Sequence, residues 1–207
     1  LKQVDDRVSF EMAIDDQIWP FDGLVVAGRV QGCVELQDRV SLTWLERTRL
    51  RSVSGAQTNV APEGIADFTA AQRGEEPKRV VQGMLEFVDR YPTSPLVFDA
   101  LRTVVKLAKA AELSEEELRG VAAKYEDMSK SWGTRWHQNT VENIAYDLAT
   151  AEGPPVGAID AIALEYAESA KSALPESSTR ARRQSVQLAH AVALVNNNQA
   201  EAGKEIL

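Results

Sequence analysis

Two periodicities divide the chain. Val8, Phe10, Met12 and Ile14 alternate with Ser9, Glu11 and Ala13, a period of two that predicts a half-buried strand. Asp15-Asp16 ends it. Asp22-Gly23 predicts a turn ahead of Leu24-Val25-Val26, and Gly28 and Gly32 predict a bulge or sharp bend around Arg29-Val30-Gln31. Val34, Leu36, Val40 and Leu42 continue the pattern about a turn at Gln37-Asp38. Leu45 to Val53 predicts a last strand with Arg47, Arg49 and Arg51 on one face. Residues 1–60 therefore read as a small β module of barrel or sandwich kind.

The character changes from about Ser54, where Gly55, Pro62, Gly64 and Gly74 stand among polar residues. Residues 61–76 read as a linker, within which Ile65–Gln72 predicts a short helix. From Pro77 the spacing is helical. Val80, Val81, Met84, Leu85 and Val88 mark a first helix behind a first-turn proline. The chain turns at Tyr91-Pro92-Thr93-Ser94-Pro95, and a second helix is predicted over Pro95–Ala111. Ser114 with Glu117 forms a capping box for a third, ending near Trp132-Gly133. Thr134 is predicted to cap a fourth, which stops at Gly153-Pro154-Pro155. A fifth covers about Val156–Leu174, and Ser178 or Thr179 opens a sixth. Asn196-Asn197-Asn198 then marks a turn before Ala200–Leu207. The expected fold class is α+β: a small N-terminal β-barrel-like module, then an antiparallel array of α-helical hairpins over residues 77–207.

Two stretches resemble known families. Phe10–Asp16, Asp22–Val34 (DGLVVAGRVQGCV) and Asp38–Leu42 resemble the second, β-barrel domain of elongation-factor-Tu-like translation GTPases. The segment between Arg29 and Asp38 is one residue shorter than in that family, and Gln37 replaces its usual glycine. The chain has no GxxxxGK[ST] loop, so the resemblance implies a binding platform and not GTP hydrolysis. Phe87–Pro95 (FVDRYPTSP), Ala163–Lys171 and the turn at Leu194–Ala202 resemble tetratricopeptide-like regions, and the helical segment that precedes thioredoxin-like domains in bacterial redoxin proteins. The 34-residue period of such repeats is not clean here.

Composition narrows the functions. The chain has 207 residues, 44% hydrophobic and 26% charged, with a formal net charge of -8. It is long enough to bury a core, and its acidity disfavours nucleic acid as a partner. No apolar run approaches the roughly 20 residues of a membrane span. Cys33 is the single cysteine, so no internal disulfide or CxxC pair exists, which fits a reducing, cytoplasmic compartment. The chain begins at Leu1 and so reads as a processed piece whose leader, if it had one, is gone; that keeps a periplasmic or secreted location in play.

No residues suggest a catalytic centre, a cofactor or a metal. His137 lies near Glu142 and reads as an ordinary helix-start position; His190 lacks an obvious carboxylate partner; Cys33 reads as a buried thiol. Glu115-Glu116-Glu117 complements a helix dipole. Tyr125, Trp132 and Trp136 gather around Gly133, either as an interface anchor or as cover for a helix junction. Arg180, Arg182 and Arg183 stand at a helix start, where their charge opposes the dipole, a misfit that favours a partner contact. The expected function is a non-enzymatic module that binds a protein or peptide in a helical-repeat groove, with Arg180, Arg182 and Arg183 for polar contacts and Trp132 and Trp136 as apolar anchors. Two alternatives stand beside it: an accessory region of a larger redoxin enzyme, and a translation- or RNA-associated factor using the barrel and the Arg47–Arg51 stripe.

Overall fold

Alternation at Val8–Ile14 does produce a strand, and the computed structural model shows its partners. The structure describes residues 2–4, 6–14, 17–26, 29–36, 39–45 and 61–206. Strands β1 (Lys2–Val4), β2 (Arg7–Ile14), β3 (Gln17–Val26), β4 (Arg29–Leu36) and β5 (Arg39–Leu45) form an antiparallel meander in that order. Each strand pairs with its sequence neighbours, and among the described residues β1 and β5 are separate edges. The sheet is therefore open, which corrects the expectation of a barrel. Arg47, Arg49 and Arg51 lie outside the described residues.

Register assigns the two faces. Phe10 pairs with Phe21 and Phe21 with Val34; the two rings stack at 4.5 Å, with Val8 and Val34 buried beside them. On the opposite face, Asp22, Cys33 and Leu42 form one row and Leu24, Gln31 and Trp44 another. Two expectations fail here. Asp22-Gly23 is not a turn but the interior of β3, and Gly32 is not a bend but a strand position paired with Gly23. The glycines serve close approach: a Cβ on Gly32 would stand 2.5 Å from the Gly23 Cα and 2.8 Å from the Phe21 ring. Phe21 thus lies over a patch of bare backbone.

Eight helices are described: α1 (Ile65–Gln72), α2 (Pro77–Arg90), α3 (Val97–Lys106), α4 (Glu115–Lys130), α5 (Thr134–Ala149), α6 (Gly157–Ser172), α7 (Arg180–Asn196) and α8 (Ala200–Lys204). Local chemistry sets several ends. Pro77 begins α2. Ser114 accepts from the Glu117 N–H at 3.3 Å while Glu117 accepts from the Ser114 N–H at 2.8 Å, so the capping box forms. Thr179 accepts from the Arg182 N–H at 3.3 Å at the start of α7. Consecutive helices pack on one another, and α3 also meets α5, α4 meets α6 and α5 meets α7. Their shared core includes Met84, Val88, Leu101, Leu118, Ile144, Leu148, Ile159 and Ile162. The stretch read as a linker contributes to it, because Phe68 of α1 is buried edge-on against Phe87 at 5.4 Å.

Helix α3 ends at Lys106, five residues before the expected Ala111. Tight turns carry the chain on to Glu112, which has φ of 55°, and they bring Lys109 inward. Its ammonium lies 2.8 Å from an Asp160 carboxylate oxygen, with the two side chains 4% and 1% exposed. This contact is ionic, since that oxygen makes no well-directed hydrogen bond, while the other accepts from the Val156 N–H at 2.9 Å.

The sheet docks on the helices through α5, which touches β3, β4 and β5. Leu42 and Trp44 pack against the helical core. Gln31 donates to the Ser131 carbonyl at 3.2 Å, Arg135 to Glu35 at 2.9 Å and Arg29 to the Thr93 carbonyl at 3.1 Å. Asp22 accepts from the Thr134 N–H at 3.0 Å, so a strand residue caps α5. Thr134 was the expected cap; the N-cap position is Gly133, which has no side chain to offer, and Asp22 supplies the missing acceptor.

Candidate functional site

A wide recess lies between α2 and α4. It encloses about 730 Å³. Val81 and Leu85 come from α2, Val121 from α4, and Ala111 and Leu113 from the turns before α4, and together they give it an apolar floor. These are positions that helical spacing turns to one side, and buried Val81 and Val121 join the floor to the core. Ion pairs stand at both ends: Lys78 meets Glu112 at 2.6 Å, and Lys124 meets Asp89 at 2.7 Å. Glu86 and Glu117 also line it, so four carboxylates face two lysines. The lysine held against Glu112 keeps that carboxyl below its usual range, and the hydrogen bonds from Ser114 do the same for Glu117. Both acids are therefore charged at neutral pH.

Gly120 stands on the α4 wall, and a Cβ built there meets nothing within 4 Å. Within a helix a glycine costs about 1 kcal/mol relative to alanine. Gly83 on α2 has a packing reason, because its Cβ would come 3.0 Å from that of Ala71. Gly120 has none among the described residues. Gly120→Ala is expected to raise stability by about 0.5–1 kcal/mol, read as a higher urea midpoint with an unchanged slope.

The five residues expected to bind lie apart from this groove. Trp132 is 5% exposed and meets Phe98 edge-on at 5.7 Å, with the Arg29 guanidinium 5.9 Å from its ring. Trp136 meets the same Phe98 at 5.4 Å. Both rings cover the junction of helices and sheet, and their apolar surface is turned to their own chain. Arg182 donates to Glu142 through both Nε and Nη2 and is nearly buried. Arg183 reaches the Glu176 carbonyl at 3.4 Å, and Arg180 is exposed. The sequence carries one signal for the groove, the interior glycine of α4 in an otherwise good helix former.

The remaining titratable candidates have structural partners. His137 Nδ1 is 3.0 Å from the Ser129 hydroxyl, and Glu142 is engaged by Arg182. The Cys33 thiol is buried, which pushes its pKa up to about 12, helped by the charge of Asp22. It stays protonated and unreactive at neutral pH. His190 is buried with Nδ1 unpartnered among the described residues. Burial lowers its pKa below 6.5, and Lys171 adds to this while Glu168 opposes it. The unfolded imidazole therefore takes up a proton that the folded one resists. Stability is expected to be full above about pH 6.5 and to fall as the pH drops below it. His190→Leu should flatten urea midpoints between pH 7 and pH 5.

Among the described residues no helix is long and apolar enough to cross a membrane, and no three His, Cys, Asp or Glu side chains are placed to hold a metal ion. Comparison with protein-family models, with curated proteins and with solved structures gave no match.

Proposed function

We propose that the protein is a non-enzymatic recognition module whose groove between α2 and α4 takes a short peptide segment of a partner. The observation that carries this is the groove itself: an open apolar floor, charged ends, and a wall glycine that nothing among the described residues covers. A hydrophobic floor rimmed by charge is the common anatomy of a peptide site. Its lining bears four carboxylates against two lysines, so the segment that fits it carries apolar anchors beside lysine or arginine.

On this reading the pairs α2–α3, α4–α5 and α6–α7 are stacked hairpins of tetratricopeptide-like kind. Contacts between alternate helices support it. The pairs begin at Pro77, Glu115 and Gly157, steps that are unequal and longer than the roughly 34-residue unit of such repeats, which explains the blurred period. Between α4 and α6 the corresponding groove is bridged by Arg119, which holds Glu165 through two hydrogen bonds of 2.8 and 2.9 Å, and by the Tyr166–Glu126 bond. The α2–α4 groove has such bridges at its ends only.

The test is selection of random twelve-residue peptides on the full chain, followed by binding to Gly120→Leu. The Cβ of that side chain meets nothing within 4 Å, and its branch extends from the groove wall. Selected peptides are expected to share apolar residues next to a basic one and to bind the variant at least ten-fold more weakly. Peptides that bind both proteins equally, or a selection that enriches nothing, would end this reading.

A further inference from the structure

A second recess, of about 320 Å³, opens on another part of the helical layer among α3, α5 and α7. Three arginines line it: Arg102 from α3, Arg135 from α5 and Arg182 from α7. Glu142 is the one acid in the lining. Asp147 and Glu35 pair with Arg102 and Arg135 from outside the lining, so the cluster is positive only on the side that faces the cleft. Each guanidinium is braced. Arg102 donates to Asp147 at 2.6 Å, Arg135 to Glu35 at 2.9 Å and Arg182 to Glu142 at 3.0 Å. Arg135 and Arg182 are only 12% and 9% exposed, so their positions are fixed by packing.

The bracing leaves donors over. Nη1 of Arg135 is buried and makes no hydrogen bond among the described residues; the nearest carboxylate oxygen, on Glu142, is 4.0 Å away. Asn139, Asn143 and Tyr146 follow at helical spacing on α5, and Ser185 faces them from α7. None of these four side chains has a polar partner among the described residues. Ala181, in the first turn of α7, completes the lining. A buried guanidinium donor without an acceptor is costly, and an oxyanion is an acceptor that would answer it.

We infer that this cleft binds the oxyanion group, phosphate or carboxylate, of a small polar molecule, held by Arg102, Arg135 and Arg182 and oriented by Asn139, Asn143, Tyr146 and Ser185. The volume lies at the lower end of that seen for small-molecule sites. The arginines at the start of α7 oppose its dipole in the free chain, and a bound anion would answer that charge. The cleft shares no residue with the α2–α4 groove, so the two assignments stand or fall separately.

The test is calorimetric titration of the full chain with inorganic phosphate and, separately, with malonate, each against sodium chloride of equal ionic strength. One saturable site is expected, with a dissociation constant of millimolar order or tighter for at least one probe. The preferred probe tells phosphate ligands from carboxylates. Arg182→Gln should weaken binding ten-fold or more. Asn139→Leu, which leaves every ion pair in place, should weaken it at least five-fold. Heats no different from chloride, or affinities unchanged in Asn139→Leu, would overturn the assignment.

Discussion

Asp160→Ala is expected to cost about 3–5 kcal/mol, because it strands the Lys109 ammonium in the core. The same variant removes the acceptor of the Val156 N–H at the start of α6. Lys109→Ala strands the carboxylate instead and should cost a similar amount. The physical content is in the pair: two charges taken from water hold each other, and either alone is far worse than neither. A Lys109→Met, Asp160→Asn double variant should therefore be more stable than either alanine variant, by about 1–4 kcal/mol. Urea unfolding of the four proteins checks this. A double variant no more stable than the alanine variants would show that the ions contribute independently, against the geometry.

Gly32→Ala comes next in expected size, with a loss of about 3 kcal/mol in the sheet. The added methyl meets the Asp22 carbonyl, the Gly23 Cα and the Phe21 ring at once. Two of those three are backbone atoms, so trimming the ring cannot relieve the clash. Phe21→Leu in the Gly32→Ala background should give no rescue. Far-ultraviolet circular dichroism should show the helices intact while the tryptophan signal of the sheet changes. The contrast with Gly120→Ala is the useful one: the same substitution is stabilising where a glycine faces open space and damaging where strands close over it.

What could be read from sequence followed the range of the interactions. The capping box at Ser114 and Glu117 spans three residues, and it forms as expected. Strand β2 announced itself by alternation over its own length. Asp22-Gly23 misled because its composition is that of a turn, while its role is set at a distance. Asp22 caps a helix 112 residues later, and Gly23 is needed for its approach to Gly32. No local pattern encodes either requirement. The close of α3 at Lys106 was hidden for the same reason, since Lys109 turns inward to reach Asp160 from another helix.

The site residues divided the same way. Trp132 and Trp136 flank Gly133 in the sequence, but Phe98, which engages both rings, comes from α3, and no local pattern points to it. Arg182 looked like a free cation at a helix start, yet Glu142 on α5 holds it. The groove floor was spread over Val81, Leu85, Ala111, Leu113 and Val121, which read simply as core. The face stays partly uncovered because α2 and α4 flank the groove across a gap, with ion pairs at its ends.

The most direct measurement on the proposed function is methyl-resolved nuclear magnetic resonance of the full chain with a selected peptide. Valine and leucine methyls of Val81, Leu85, Leu113 and Val121 should shift and saturate together, while those of the sheet and of α7 stay in place. Shifts confined to the sheet, to α7 or to the arginine cleft, with the groove methyls unmoved, would contradict the account.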